Sequence, residues 1–173
     1  MVKAGVVLSG EVVAAVRTKD GKIKERKSLL SRLFSRKMIA VNHNCITSQG
    51  LSLIADWMLA SPQKTKITSV NGFMQVGTGW TGVSPHNNSR CNMPVGIVQK
   101  VDSGYPRASN GTVIYRATFS AGSVEGDSIN EVCLMNGNTE AAESLAYAEL
   151  VPPLEVTKLD TLTVEWTVSL HAV

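Results

Sequence analysis

Gly77-Thr78-Gly79-Trp80-Thr81-Gly82 follows the apolar run Phe73-Met74-Gln75-Val76. Its glycines meet the G-x-G-x-x-G spacing with which a dinucleotide-binding loop cradles pyrophosphate. That chemistry needs a helix opening directly after the loop, so that free backbone N–H groups and the helix dipole face the phosphates. Val83-Ser84-Pro85-His86-Asn87-Asn88-Ser89 follows instead, and a proline among turn formers does not sustain a helix. Ribose recognition would also need an acid ending a second strand about 20 residues on; Asp102 stands in Asp-Ser-Gly, a turn. No Gly-Lys-Ser/Thr occurs, which excludes a P-loop. The glycines are therefore read as letting a buried strand turn sharply, and no cofactor is expected.

The other residues able to do chemistry are scattered. His43, Cys45, His86 and Cys91 are a ligand set that zinc accepts. Their spacing, His-x-Cys and His-x4-Cys, matches no standard finger, so no metal site is expected. Cys133 alternates with apolar neighbours and reads as a small buried hydrophobe. A hydrolytic site would have to be assembled from unrelated residues such as His43, His86 and His171, since Gly-x-Ser-x-Gly is absent. Glu125-Gly126-Asp127 reads as a solvated turn. No residue is singled out as catalytic.

Composition sets the frame for these groups. The chain has 173 residues, 43% hydrophobic and 18% charged, which suits one globular domain with an appendage. The net charge of +3 is unevenly spread. Residues 1–40 hold ten Lys/Arg and three acids, a balance of +7, so the remainder carries −4. Such a basic arm suits an anionic partner. Phe34 is its only aromatic residue, which leaves no stacking platform for nucleic acid; nucleic acid is not an expected partner. Three widely spaced cysteines without a C-x-x-C pair make a poor disulfide framework and point to folding in a reducing compartment. No leader-like apolar segment opens the chain, and no run approaches the roughly 20 apolar residues of a membrane span. Neither a membrane partner nor export by signal peptide is expected.

The elements that must position these residues are mostly strands. Residues 5–17 are Val-rich, with a break expected at Ser9-Gly10, and Asp20-Gly21 marks a hairpin turn. Residues 23–27 form a polar return strand whose lysines would guard an edge. Residues 28–41 carry Leu29, Leu30, Leu33, Phe34 and Met38 near helical spacing, with Arg32, Arg36 and Lys37 between them. Docking of this segment on its own domain or on a neighbour is favoured over membrane binding. Residues 47–61 are the clearest helix: Leu51, Ile54, Ala55, Met58 and Leu59 repeat at i, i+3, i+4, i+7, i+8, with Thr47 or Ser48 as cap and Pro62 beyond. Then come strands near 67–76, 95–98, 112–121, 129–135, 145–151 and 159–170, separated by turn signals, with a long polar stretch over 80–111. The expected fold is mainly β: an antiparallel, jelly-roll-like β-sandwich over 42–173, with one short helix. Residues 1–41 would be a separate hairpin and extended basic arm.

The order of these features resembles a group of small tailed-bacteriophage virion proteins. The resembling segments are Gly10 to Lys22, the Gly-containing helix entry Thr47-Ser48-Gln49-Gly50-Leu51, the strand Met74-Gln75-Val76-Gly77-Thr78-Gly79, Asn130-Glu131-Val132-Cys133-Leu134, and a closing hairpin from Leu145 to Trp166. They span about residues 10–170. Cys133 stands where that group usually has glycine in Asn-Glu-x-Gly-Leu, and Trp80 to Asn92 replaces a Pro/Ala-rich segment. The resemblance implies a non-enzymatic virion structural protein, made in the bacterial cytoplasm. Within the virion it implies a capsid decoration (cement) protein, acting as a homo-oligomer, a trimer favoured, bound to the major capsid protein. The alternative is a tail, neck or baseplate accessory component such as a fibre anchor; a small ligand-binding or hydrolytic β-domain is the third reading. Arg26, Leu29, Leu30, Leu33, Phe34, Arg36 and Trp80 are the candidate subunit contacts.

Overall fold

The computed structural model describes residues 6–25, 37–43, 45–81 and 90–172; for 6–8 and 171–172 it describes the backbone alone. In chain order the elements are β1 Val6–Arg17, β2 Ile39–His43, β3 Cys45–Ile46, α1 Ser48–Trp57, β4 Phe73–Gly77 and β5 Pro94–Lys100. There follow β6 Arg107–Ser109, β7 Thr112–Phe119, β8 Gly126–Met135, β9 Ser144–Val156 and β10 Thr161–Ala172. They form two antiparallel five-stranded sheets, ordered β2-β1-β10-β7-β6 and β3-β9-β8-β4-β5. This is the expected mainly β architecture, with a single short helix among the described residues.

In the first sheet, period-2 alternation decides what is buried. Leu162, Val164, Trp166 and Val168 of β10 face the core, as do Tyr115, Ala117 and Phe119 of β7. Leu170, expected on the same face, is largely exposed at the sheet's end. β1 runs unbroken through Ser9-Gly10 and pairs with β10 along its whole length, Val12 opposite Trp166 and Ala14 opposite Val164. Val12, Ala14 and Val16 are fully buried. The expected division at residue 41 therefore needs correction: β1 and β2 are strands of the sandwich, not an appended hairpin.

The Asp20-Gly21 turn is present, with Gly21 at φ +75. The described part of the return segment, residues 23–25, makes isolated bridges, Arg17 with Ile23 and Glu25 with Lys37; residues 26 and 27 lie outside the described residues. Lys24, expected to guard an exposed edge, instead reaches Asp160 at 2.7 Å and Glu155 at 3.2 Å. Burial works against the Lys24 charge, but the hydrogen bonds and charges of Asp160 and Glu155 outweigh it and raise the ammonium above its ordinary value.

The second sheet is covered on both faces along the latter half of β8, where Val132 to Met135 form a continuous apolar run. Val132 and Leu134 join the core between the sheets. Cys133 and Met135 point the other way, into a smaller cluster with Cys91, Tyr147, Phe73, Trp80 and Val98.

Thr47 caps α1, its Oγ1 accepting from Gly50 N at 2.8 Å and donating to Ser144 O of β9. A Cβ on Gly50 would meet Leu145 O at 2.0 Å, so only glycine lets the helix entry lie on the β9 backbone. The helix ends at Trp57, four residues short of the expected 61. Gly50 and Leu53 are its buried residues, with Ile54 and Trp57 packed on the core. Of the expected repeat only Ile54 packs inward; Leu51 and Ala55, and Met58 and Leu59 beyond the helix end, are exposed.

Candidate functional site

The most organised polar constellation lies on the outer face of the second sheet, around Glu131. This carboxylate is fully buried in the middle of β8. Burying a carboxylate costs heavily unless every oxygen is hydrogen-bonded. Here one oxygen accepts the backbone N–H groups of Gly79 and Met93, both at 2.8 Å. The other accepts Asn92 N at 3.0 Å and the Tyr147 hydroxyl from β9. Its neighbour Asn130 accepts Trp80 N at 3.1 Å through Oδ1. The side chains of Asn130-Glu131 thus bind the backbone of two chain segments, 79–80 and 92–93.

The glycines of Gly77-Thr78-Gly79 serve this contact. A Cβ on Gly77 would stand 2.3 Å from Met93 O and 2.4 Å from a Glu131 oxygen. On Gly79 it would stand 2.6 Å from Met93 N and 2.9 Å from that same oxygen. Sharp turning was the expected reason for these glycines; close approach of the backbone to a buried carboxylate is the observed one. Thr78 N continues the junction, donating to Met93 O at 2.9 Å.

Tyr147 closes the site. Burial first, and then the hydrogen bond and charge of Glu131, push its hydroxyl far above the ordinary phenol range. Trp80 stacks on its ring, centroids 5.4 Å apart and planes at 22°. Trp80, expected to be free for a subunit contact, is therefore half-buried against its own sheet. The remaining candidate contacts, Arg26, Leu29, Leu30, Leu33, Phe34 and Arg36, lie outside the described residues.

An open groove of about 250 Å³ borders Trp80 and Tyr147; His43, Cys45 and Glu149 also line it. His43 contributes as well to a neighbouring hollow of about 300 Å³ with Ser9, Glu11, Thr167 and Ser169. The structure thus brings His43 and Cys45 together but directs Cys91 elsewhere. Cys91 Sγ donates to Gln75 O at 3.1 Å and lies 3.8 Å from Cys133 Sγ. His86 falls outside the described residues, and His171 is described by backbone alone. Among the described residues no three His, Cys, Asp or Glu side chains are grouped to hold a metal ion. No helix among them is long and apolar enough to cross a membrane. As expected, Cys133 is fully buried.

Sequence reasoning found Gly-Thr-Gly and Asn-Glu separately and missed that they bind each other across about fifty residues of chain. The one local signal was a polar pair, Asn130-Glu131, between Ile129 and the apolar run Val132 to Met135. Comparison of the chain with protein-family models, with curated proteins and with solved structures gave no significant match.

Proposed function

We propose that the chain is a non-enzymatic virion structural protein of a tailed bacteriophage, acting as a capsid decoration protein that clamps neighbouring shell subunits. The observation that carries an assembly role is α1. Leu51 and Ala55 on the helix, and Met58 and Leu59 just beyond its end, are exposed, with Met58 82% exposed and Leu51 55%, while Ile54 of the same repeat packs on the core. An apolar patch that no other described residue covers suits a surface that another subunit covers.

Two further features agree with this reading. Among the described residues the one fully buried carboxylate, Glu131, holds backbone amides, which is architecture rather than catalysis. Two of the segments that carry the resemblance to phage virion proteins are seated through glycine: Gly50 seats the helix entry on β9, and Gly79 seats the next loop on Glu131 of β8. The expected oligomer is a trimer, and the expected partner is the major capsid protein.

Densitometry of purified virions against the major capsid protein tests the proposal. Hundreds of copies per particle are expected. A few copies would refute decoration in favour of the tail or neck, and absence from particles would refute both.

A further inference from the structure

Cys91 and Cys133 present a second piece of chemistry, independent of any role in a virion. Cys133 sits in β8, where its register partners are Gln75 on β4 and Tyr147 on β9. Cys91 belongs to the segment held over that face by Glu131 and Gln75: its own N–H donates to Gln75 Oε1 at 3.2 Å, and Asn92 and Met93 donate to Glu131. The two sulfurs are 3.8 Å apart, and both thiols are free. A disulfide needs about 2.05 Å between sulfurs. The two atoms must therefore close by less than about 2 Å, within reach of a side-chain rotation and a small shift of the covering segment. The third thiol, Cys45, is in the groove at the sheet edge and outside this cluster.

We propose that Cys91 and Cys133 form a latent intramolecular disulfide, made by exchange with a low-molecular-weight disulfide, which fastens the covering segment to β8. Cys91 is the attacking residue, because it retains slight exposure, 5%, while Cys133 has none. Its thiol loses a proton to solvent, and the thiolate attacks one sulfur of glutathione disulfide, expelling a glutathione thiolate. The Cys133 thiolate then attacks the Cys91 sulfur of the mixed disulfide and expels the second. Two protein thiols are oxidised, and one glutathione disulfide is reduced to two thiols. Burial, reinforced by the neighbouring Cys133 and Glu131, pushes the Cys91 thiol up, so exchange is slow at neutral pH and quickens as pH rises.

The test uses the native full chain and the urea-unfolded chain, each taken to completion in excess glutathione disulfide. Remaining thiols are then alkylated, and linked peptides are mapped by mass spectrometry without reduction. The native chain is expected to give the 91–133 link alone, with Cys45 alkylated or glutathionylated, and a urea midpoint above that of the reduced protein. The unfolded chain is expected to give all three pairings. Cys133→Ser should leave native Cys91 carrying glutathione and no link. Three unlinked thiols in the native chain, or the same mixture of pairings as in urea, would overturn the proposal whatever the variant does.

Discussion

Replacing Glu131 by Gln tests whether a carboxylate, rather than shape, holds the two segments over the second sheet. The side chain keeps its volume, but one oxygen becomes an NH2 group. If the remaining oxygen keeps Gly79 N and Met93 N, the amide nitrogen faces the Asn92 N–H and the Tyr147 hydroxyl. The hydroxyl can turn to accept; the Asn92 N–H cannot, and it is left facing another donor. An unsatisfied buried amide costs about 1–3 kcal/mol, with the part-buried Asn92 N–H toward the lower end, and bonds to a neutral acceptor are weaker than bonds to a carboxylate by up to about 1.5 kcal/mol each. The sum is on the order of 3 kcal/mol, below the roughly 5–15 kcal/mol of a typical domain, so the variant should still fold. With a urea slope of about 2 kcal/mol per molar, the midpoint should fall by about 1–2 M. Tyr147→Phe removes one donor and should cost about 1 kcal/mol. The double variant should depart from the sum of the two single losses, since both change the same contact. A midpoint within about 0.3 M of wild type for Glu131→Gln, well inside the range just derived, would refute the carboxylate clamp.

Gly77→Ala should destabilise by at least about 1–3 kcal/mol by overpacking against the Met93 carbonyl, read from the same urea curves; a neutral result would mean the covering segment yields freely. Removing residues 1–40 should abolish the cooperative thermal transition seen by circular dichroism, because it takes β1 and its buried Val12, Ala14 and Val16 from the middle of the first sheet. Burial pushes the Tyr115 hydroxyl up to about 12, so the folded state resists ionisation that the unfolded chain undergoes near the ordinary 10.0. Stability should therefore fall as pH rises above about 10, and Tyr115→Phe should flatten that fall in a series of urea midpoints. Asp160 is the acid counterpart: burial opposes its charge, but Lys24 and Thr157 hold its carboxyl below the ordinary 3.8. Its contribution should be complete above about pH 4 and lost as pH drops through the lowered value, and Asp160→Asn should remove that acid-side dependence.

What could be read from the sequence depended on how far each strand's partners lay along the chain. β7 and β10 bury one face, so alternation alone reveals them and their inward residues. β8 buries both faces, and the run Val132 to Met135 gives its presence but not which side chains meet which layer. β1 was misplaced as an arm because its polar hairpin neighbours suggest an edge, whereas its actual partner β10 lies at the far end of the chain. The α1 stripe shows the reverse error. Periodicity identifies a helix and an apolar face, but here the inward contact is made by Gly50 and Leu53 against β9, and most of the regular face is left outward. A residue as small as glycine carries no hydrophobic signal, yet it sets which side of the helix can approach the sheet.

The Gly-Thr-Gly segment follows from the same argument. Glycine spacing suggested a loop that brings its backbone close to an anion, and the missing helix argued against phosphate. The backbone does approach an anion, but the anion is a side chain of the same protein, Glu131, set in the centre of a strand. The physical demand is the same in either case: N–H groups aimed at a charge, with no Cβ in the way. Glycine pattern alone cannot say whether that charge arrives with a ligand or is built into the fold. An acid interrupting an apolar strand elsewhere in the chain, as Glu131 does with Asn130 between Ile129 and Val132, is the sequence feature that separates the two. Mutating it should loosen the fold itself, where loss of a ligand contact would leave stability unchanged.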